Sequence, residues 1–493
     1  MHQPPDGKEL YDYADSNRVV ILSLGLSSSI ILLIGGLLFA RSQPEFYIYG
    51  IYVLMIAVYL GFSYFVGIFG RDFSWVDHSK VMRSNTVTDG VDILLPTCGE
   101  DLDILENTFT AVKNIEWHAD ILVTVLDDSG RDSVKELAEK FNFQYFSRPI
   151  KTLKKAGNIR YGFQKTNKRY FAIFDADFAP RPDFLQSTMP YFGEASTGIV
   201  QTPQYFALSD HSTVIGKGAA YVQELFYRLI QVSRDAFRAP ICVGTNAVYR
   251  RAIFEDLGGT FPIDYSEDVH TGFYTVAKGF RVRYLPLNLA KGMCPETHQS
   301  FFTQQYRWAM GSITLCMNPW FWSTKLKLTQ RICYLSGIGY YITTGVSVLF
   351  ISLPSMIMVN FYPDKVLWFN YMFSVPSFLF TTLIWGYWSR HKFGIYALAA
   401  RQIQYWAHLF AIVDKLRGNL MPWQATGAIK SDSKNERFVV YKKASFTWAF
   451  LQFIPIILGI IHNHSQYGID NFGFALFFAC FNFAVAMYAW GQK

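Results

Sequence analysis

Charged side chains are scarce in this chain. Asp, Glu, Lys and Arg make up 17% of its 493 residues, whereas 51% are hydrophobic and 17% are aromatic. A fully soluble protein of this length carries more charge on its surface. The composition therefore excludes a wholly water-soluble protein and indicates that lipid contacts much of the molecule.

The sequence also lacks paired cysteines and a strong net charge. It contains no Cys-x-x-Cys pair, and its cysteines and histidines do not have the spacing of a zinc site. We interpret the six cysteines as reduced and structural: Cys98, Cys242, Cys294, Cys316, Cys333 and Cys480. The net charge of +7 comes largely from basic residues beside apolar segments, where they meet anionic lipid, and it gives no reason to expect nucleic-acid binding.

Six apolar segments are long enough to cross a bilayer. As a helix at about 1.5 Å per residue, residues 19–40 would span roughly 33 Å, against a hydrocarbon core of about 30 Å. Two segments precede a polar middle region and four follow it: 19–40, 46–70, 332–360, 366–389, 445–461 and 472–490. The first could instead be a signal peptide, but its flank is acidic and a second apolar segment follows at once, so we expect it to be retained.

The distribution of basic residues predicts the orientation of these segments. Arg71 and Lys80 follow the second segment and Lys442 and Lys443 precede the fifth, whereas residues 462–471, between the last two, contain no Lys or Arg. Because short cytoplasmic loops are enriched in Lys and Arg, the polar middle region and both termini are predicted to be cytoplasmic. We expect a multi-pass protein of the plasma (inner) membrane.

The polar middle region has the pattern of an α/β fold. Short apolar runs end in polar residues and alternate with charged helical stretches such as residues 133–141. The predicted strands are 91–95, 121–126, 170–174, 198–201 and 281–285. Strands that alternate with helices form a mostly parallel sheet, and ligands bind beyond the carboxyl ends of its strands. We therefore expect the functional residues at those ends.

Three further segments mix aromatic, apolar and polar residues at helical spacing. They are residues 222–231, 299–315 and 395–413. Amphipathic helices that lie in the membrane interface have this pattern. Periodicity alone equally permits a helix packed on the core of the domain, so both interpretations stay open.

Asp175 and Asp177 follow the third predicted strand. Two carboxylates at this spacing suit a hard divalent cation, and phosphate oxygens and water would complete its octahedral shell. A cation of this kind stabilises the charge that a diphosphate leaving group acquires. The alternative is that the two aspartates only cap a loop, which is common for Asp in turns.

The first two predicted strands end in further polar residues. Thr97 and Glu100 follow the first strand, and Asp127 and Asp128 follow the second. One of these aspartates can accept a hydrogen bond from the N–H of a uracil, while Thr97 and Glu100 hold the base or its ribose. Asp-Asp-Ser-Gly is also ordinary turn sequence. Lys155 can pair with a phosphate as a point charge, or it can simply be solvated.

The run Ser266, Glu267 and Asp268 precedes a predicted helix. Asp268 is our candidate for the general base that takes the proton from an attacking hydroxyl group. The structural alternative is a helix N-terminus in which Ser266 caps the first turn and the acidic side chains interact with the helix dipole. Both roles can coexist.

The run 304–308 reads Gln-Gln-Tyr-Arg-Trp. Arg307 can contact a diphosphate with its forked guanidinium, and the indole of Trp308 can stack on a sugar. An Arg and a Trp at a membrane interface can also be simple anchors. Gln304 completes the motif.

Taken together, these residues resemble the D, DxD, TED and QxxRW signature of the membrane-bound processive glycosyltransferases of family 2, especially the cellulose synthase group. The resemblance covers residues 91–312 and includes a VQTP-like segment, residues 200–203, and an acceptor-side loop, residues 244–248. It implies a cytosolic GT-A type domain that uses a UDP-sugar with Mg²⁺ or Mn²⁺ and inverts the anomeric centre. The growing β-linked glycan would leave through a channel of the same chain, and residues 423–430 take the place of the family's gating loop.

The resemblance also sets the expected domains and partners. The predicted divisions are a cytosolic N-terminus (1–18), two spans (19–70), the GT-A domain (71–298), an interface region (299–330), two spans (331–389), an interface helix with a possible gating loop (390–443) and two spans (444–493). Because few residues follow Trp490, we expect no C-terminal cyclic-di-GMP-binding domain. The expected partners are the UDP-sugar, the glycan and membrane lipids, and accessory subunits or a homo-oligomer stay open.

Two features differ from the family pattern, and several activities stay open. Ser266 replaces the family's Thr, and only two predicted spans precede the domain. A β-glucan synthase using UDP-glucose is the leading prediction. The alternatives are a chitin- or hyaluronan-type synthase, a non-processive transferase acting on a lipid acceptor, and a non-catalytic channel or scaffold subunit.

Overall fold

A seven-stranded sheet organises the polar middle region. The computed structural model describes residues 2–14, 17–389, 394–421 and 436–491. The strands of the main sheet are β1 (Val91–Thr97), β2 (Ile121–Asp127), β3 (Gln144–Phe146), β4 (Tyr170–Ile173), β6 (Thr197–Gln201), β8 (Ala247–Arg250) and β9 (Arg281–Tyr284). A second, three-stranded sheet contains β5 (Phe178–Pro180), β7 (Tyr205–Ala207) and β10 (Ala290–Met293).

The main sheet is mostly parallel, as the alternation of runs predicts. Its strand order is β3-β2-β1-β4-β8-β6-β9, and β8 runs antiparallel to both of its neighbours. All five predicted strands are confirmed. The sequence pattern missed β3, which has only three residues, and β8, an antiparallel strand of four residues. β1 is buried along its whole length because helices cover both faces of the sheet.

Nineteen α-helices lie within the described residues. In chain order they are α1 (Arg18–Ser42), α2 (Tyr47–Phe69), α3 (Trp75–Arg83), α4 (Leu102–Lys113), α5 (Asp132–Lys140), α6 (Lys154–Lys165), α7 (Phe184–Thr188), α8 (Val214–Tyr221), α9 (Gln231–Asp235), α10 (Glu267–Ala277), α11 (His298–Met317), α12 (Pro319–Ser323), α13 (Leu328–Phe350), α14 (Leu353–Phe361), α15 (Val375–Leu379), α16 (Trp385–Trp388), α17 (Ile395–Arg417), α18 (Glu436–Tyr467) and α19 (Ile469–Gly491).

Five helical segments of the described chain are long and apolar enough to cross a membrane. They are Arg18–Ser42, Pro44–Phe69, Leu328–Phe361, Glu436–Tyr467 and Ile469–Gly491. Large apolar side chains face outward on these helices, such as Val19 at 70% and Ile48 at 69% exposure, which is the surface that lipid solvates.

The predicted count of six spans is not confirmed, because residues 366–389 do not form one long helix. They divide into a 3₁₀ turn at Trp368–Phe373 and a helical stretch that begins at Val375. Pro376 lies in the first turn of that stretch, where a residue without an N–H group starts a helix readily. The stretch ends at Trp388, so at about 1.5 Å per residue it is about 21 Å long, shorter than the hydrocarbon core.

The three mixed segments differ in their surroundings. Residues 222–231 lie inside the protein, where Glu224, Arg228 and Gln231 are all buried. This placement favours a packed segment over a helix with a polar face in water. The other two segments form α11 and α17, which pack against each other.

The segment before the first span packs on the α/β domain. Asn288 donates from its backbone N to Leu10 O at 2.9 Å and from its side chain to Glu9 O at 2.8 Å. Lys291 on β10 forms an ion pair with Glu9. The N-terminal segment and the α/β domain therefore lie on the same side of the apolar helices.

Candidate active site

Asp175 and Asp177 lie between β4 and β5, at the carboxyl end of β4. The backbone N of Asp175 donates to Thr245 Oγ1 at 2.8 Å, and the carboxylate of Asp175 forms an ion pair with Lys155. The Lys155 ammonium also donates to Gly244 O at 3.0 Å and lies 4.0 Å from Glu267 Oε1. Lys155 thus joins the Asp175 region to the Glu267 region.

The carboxyl group of Asp177 is in a strongly negative environment. Burial, followed by the charges of Asp175 and Glu100, raises the pKa of Asp177 to about 8. Burial also raises the pKa of Glu100, although the backbone N of Cys98 donates to Glu100 Oε2 at 2.7 Å. Burial and the charges of Asp175 and Glu100 thus both disfavour the ionised form of Asp177.

This environment fits a divalent cation held by two carboxylates. No group of three or more His, Cys, Asp or Glu side chains surrounds a common point in the described part of the chain. Asp175 and Asp177 would therefore leave most positions of an octahedral shell to phosphate oxygens and water, as is usual for Mg²⁺. A cation would also offset the repulsion that raises the pKa of Asp177.

The carboxylate of Asp127 is saturated by protein donors. Its oxygens accept from the hydroxyl of Thr97 at 3.2 Å, from the backbone N of Ser129 at 2.8 Å, from the Ser129 hydroxyl, from Arg131 N at 2.9 Å and from Tyr145 OH at 3.1 Å. An ionised carboxylate offers about four lone-pair positions. Asp127 therefore shapes the turn, and a base N–H would find no acceptor position on it.

Asp128 keeps acceptor capacity. Arg148 donates from Nε to Asp128 Oδ1 at 2.7 Å and from Nη2 to Oδ2 at 2.8 Å, a bidentate pair that leaves a second lone pair on each oxygen. Arg148 also donates to Thr152 O and to Lys154 O. Sequence reasoning missed Arg148, because an isolated Arg gives no local signal of its partner twenty residues away.

Glu267 and Asp268 occupy the first turn of α10. Burial and the neighbouring charge of Glu267 raise the pKa of Asp268 to about 7, while Lys155 opposes the shift. Gly244 lies against Asp268 with φ of +74°, and a Cβ at this position would approach the Asp268 Cβ to 2.8 Å. A larger residue would therefore displace the carboxylate of Asp268.

Ser266 does not cap α10 with its side chain. It has a left-handed backbone conformation with φ of +51°, and its hydroxyl donates to Arg307 O on α11 at 3.0 Å. The approach needs Gly311, where a Cβ would lie 2.1 Å from the Ser266 Cβ. The predicted capping role is wrong. Ser266 instead joins the 266–268 motif to the 304–308 motif.

The 304–308 motif lies on α11 beside these carboxylates. Burial lowers the pKa of Arg307, and the charges of Glu267, Asp175 and Asp268 act in the opposite direction, so the guanidinium lies within their field. Trp308 is half-buried, and Gln304 is buried. Three motifs that are distant in sequence, at residues 175–177, 266–268 and 304–308, therefore lie close together.

A buried polar network supports the loop before β8. Gln201 donates to Thr245 O at 2.8 Å and accepts from Val243 N at 2.9 Å. Thr202 donates from its hydroxyl to Asn246 O at 2.9 Å. These hydrogen bonds join residues 200–203 to residues 244–248. They fix Thr245 in the position where its Oγ1 accepts from Asp175 N. The possible gating loop, residues 423–430, lies outside the described residues.

Comparison with known proteins agrees with this architecture. Residues 92–258 match the family model described as Glycosyl transferase family 2. A UDP-forming cellulose synthase catalytic subunit of Xanthomonas axonopodis pv. citri (strain 306) is 33% identical over 263 residues, 51% of this chain and 35% of the relative. A UDP-forming cellulose synthase 1 catalytic subunit of Komagataeibacter xylinus is 33% identical over 271 residues, 54% of this chain and 36% of the relative. The matches thus span about a third of these relatives.

A solved structure shares the fold. The mannosyltransferase PcManGT from Pyrobaculum calidifontis, in complex with GDP-Man and Mn²⁺, superposes with a TM-score of 0.54 at 15% identity. The superposition covers 75% of this chain and 99% of that protein. The α/β domain therefore has a GT-A-like fold, and its residues 92–258 are similar to glycosyltransferase family 2, while relatives that match the chain include cellulose synthase catalytic subunits.

Proposed function

We propose that this protein is a processive, inverting glycosyltransferase that polymerises a β-linked polysaccharide, with β-glucan from UDP-glucose as the leading product. The observation that carries the proposal is the meeting of Asp175, Glu267, Asp268 and Arg307 around Lys155, beside helices that can cross a membrane. The catalytic residues of a transferase must lie close enough together to contact one donor and one acceptor at the same time.

The donor would bind at the carboxyl ends of β1, β2 and β4. Thr97, Glu100 and Asp128 would hold the uridine, with Asp127 shaping their turn. Lys155 and Arg307 would interact with the diphosphate. A cation bound by Asp175 and Asp177 would stabilise the charge of the leaving UDP.

Transfer would be a direct displacement at the anomeric carbon. The acceptor hydroxyl oxygen forms a bond to that carbon while its proton passes to Asp268, and the bond to the diphosphate oxygen breaks to release UDP. A base with a pKa of about 7 is suited to this step at neutral pH. Attack from the face opposite the diphosphate inverts the configuration and gives a β-linkage.

A cavity among the apolar helices supports the idea that the product leaves through the same chain. The cavity has a volume of about 110 Å³ and lies between α13, α17, α18 and α19. Its lining includes Gln402, Tyr405, Trp448, Gln452 and Asn482, a mixture of amide and aromatic groups that suits sugar hydroxyls and ring faces. Trp308 is not part of this lining, so a continuous passage from Trp308 to the cavity is part of the proposal. We further propose that the α/β domain is cytoplasmic.

The product tests this proposal. Purified protein would be incubated with radiolabelled UDP-glucose and Mg²⁺ or Mn²⁺, and the product digested with linkage-specific glycanases. A high-mass polymer cut by a β-glucanase is the expected result. A single labelled sugar on an organic-soluble acceptor would replace the proposal with a non-processive transferase, and incorporation of N-acetylglucosamine or glucuronic acid instead would indicate a chitin- or hyaluronan-type synthase.

The rate of transfer should depend on pH through Asp268. Because a general base works only when deprotonated, kcat/KM should be constant above its pKa of about 7 and fall about tenfold per pH unit below it. Initial rates between pH 5.5 and 8.5 at saturating Mn²⁺ measure this profile. A flat profile down to pH 5.5 would contradict the role of Asp268.

Trp308 should act on the acceptor and not on the nucleotide. Replacing it with Ala removes the stacking surface for a sugar and the large apolar area that an indole can bury against a sugar ring. We expect Trp308→Ala to shorten the polymer and to slow elongation several-fold, while the Kd for UDP stays unchanged. Trp308→Phe, which keeps an aromatic face, should retain most elongation. Equal loss of UDP binding in both variants would contradict this role.

A further inference from the structure

Two tyrosines hold the backbone of Met421, one directly before the 266–268 motif and one inside the 304–308 motif. Tyr265, which precedes Ser266, donates from its hydroxyl to Met421 O at 2.7 Å. Met421 N donates to the hydroxyl of Tyr306 at 3.2 Å, and Tyr306 lies inside the 304–308 motif. Two motifs that are far apart in the sequence therefore bind the same residue from two sides.

The chain reaches this position through a sharp end to α17. Gly418 has φ of +70°, and the backbone N of Asn419 donates to Asp414 O at 3.1 Å. A left-handed glycine at this place is a common helix terminator. Beyond it, Met421 is only 1% exposed and packs in the apolar cluster that contains Tyr306.

The same tyrosine is fixed a second time by a buried carboxylate. Tyr306 OH donates to Asp414 Oδ2 at 3.0 Å, so its hydroxyl donates to α17 and accepts from Met421. Asp414 is 4% exposed and also accepts from Tyr441 OH at 2.5 Å and from Arg437 Nη2 at 2.8 Å, both on α18. A carboxylate buried this deeply needs such donors.

Helix geometry gives this arrangement a consequence for the site. Successive residues of a helix point about 100° apart, so Tyr306 can face Asp414 and Met421 while Arg307 next to it faces the carboxylates of Glu267 and Asp268. The hydrogen bonds of the Tyr306 hydroxyl therefore set the rotation of α11 about its axis. That rotation determines the direction in which Arg307 points. Tyr265 fixes the chain that leads directly into Asp268.

We propose that Tyr265, Tyr306, Met421 and Asp414 form a positioning network, the Met421 clamp, which sets α11 against the first turn of α10 and so aligns Arg307 and Trp308 with Asp268. The inference rests on the proposed function, because it assigns a purpose to the alignment of those groups. The members of the clamp are positioning residues. Their substitution should lower transfer more than it weakens nucleotide affinity, to which Arg307 contributes.

Three single substitutions test the clamp. Tyr265→Phe and Tyr306→Phe each remove one hydroxyl that binds Met421. Tyr441→Phe is the matched control, because it removes a hydroxyl bonded to Asp414 but not to Met421. We expect the first two to lower kcat about tenfold or more, since small misplacement of reacting groups is costly, and to raise the Kd for UDP by a smaller factor through Arg307. Tyr441→Phe should stay within about twofold of the wild type, and thermal unfolding would verify that all three proteins are folded.

A second readout does not depend on activity. Hydrogen exchange across residues 265–269 should be faster in Tyr265→Phe and Tyr306→Phe than in Tyr441→Phe, because Tyr265→Phe frees the chain before α10 and Tyr306→Phe loosens Met421, to which that chain is bonded. If the wild type transfers sugar but all three variants behave alike in kcat and in exchange, the clamp is wrong and the proposed function stands. If the wild type transfers no sugar, the proposed function is wrong, and faster exchange in the first two variants would still support the clamp.

Discussion

Asp268→Asn should bind UDP with the affinity of the wild type and lose sugar transfer by 10² or more. Asn keeps the size of Asp but cannot accept the proton of the attacking hydroxyl, and general-base catalysis typically contributes about 10²–10⁴-fold. Calorimetric titration with UDP and Mn²⁺ gives the affinity, and release of UDP during turnover gives the rate. Wild-type turnover in this variant would remove Asp268 from the mechanism.

The same substitution should not unfold the protein. The pKa of Asp268 lies at about 7 in the folded state, above its usual value of 3.8, so the folded protein retains a proton that the unfolded chain has lost between those values. The free energy of unfolding therefore falls as pH rises from 3.8 to about 7, and it is lower at neutral pH because the ionised Asp268 is buried. Asn carries no such charge. Asp264→Asn, an exposed neighbour in sequence, is the matched control and should retain full activity.

Asp177→Asn should abolish the contribution of the metal to nucleotide binding. The substitution removes one of the two carboxylates available to a divalent cation and the charge repulsion among Asp175, Asp177 and Glu100. We expect the Kd for UDP in Mn²⁺ to rise to the value that the wild type shows in EDTA. Transfer should fall about 10²-fold or more, because stabilisation of a leaving group by a metal is worth several kcal/mol.

A surface carboxylate provides the comparison for this variant. Asp256 forms an ion pair with Lys278, and its side chain is 73% exposed. Asp256→Asn changes the net charge by the same amount as Asp177→Asn, so it controls for non-specific electrostatic effects. It should keep the full Mn²⁺ dependence of UDP binding. If Asp177→Asn also kept that dependence, Asp177 would not be a metal ligand.

The local patterns in the sequence were enough to find the sheet and the individual motifs. Apolar runs that end in polar residues located five strands, and short spacings located Asp175 with Asp177 and Glu267 with Asp268. These signals are local, because strand patterns repeat within a few residues and the paired carboxylates are neighbours in the chain. The strands and the paired carboxylates could therefore be predicted without any long-range contact.

The remaining features depend on contacts between distant residues. Nothing near Arg148 indicates its bidentate pair with Asp128, and nothing near Thr245 indicates its bond to Asp175. Ser266 has the sequence context of a helix cap, yet it bonds to Arg307 because Gly311 allows α11 to approach closely. Composition also could not show that residues 366–389 divide into short helical pieces, since hydropathy does not register where helical hydrogen bonding stops.

Coupled synthesis and export in a sealed membrane tests the central claim most directly. Purified protein would be reconstituted into proteoliposomes, and radiolabelled UDP-glucose with Mn²⁺ and a β-glucanase would be supplied on the outside only, so that outward-facing α/β domains alone can react. The account predicts a high-mass glycan that resists the external glucanase until detergent opens the vesicles. A product that the glucanase digests fully in intact vesicles, or a single sugar attached to lipid, would contradict it.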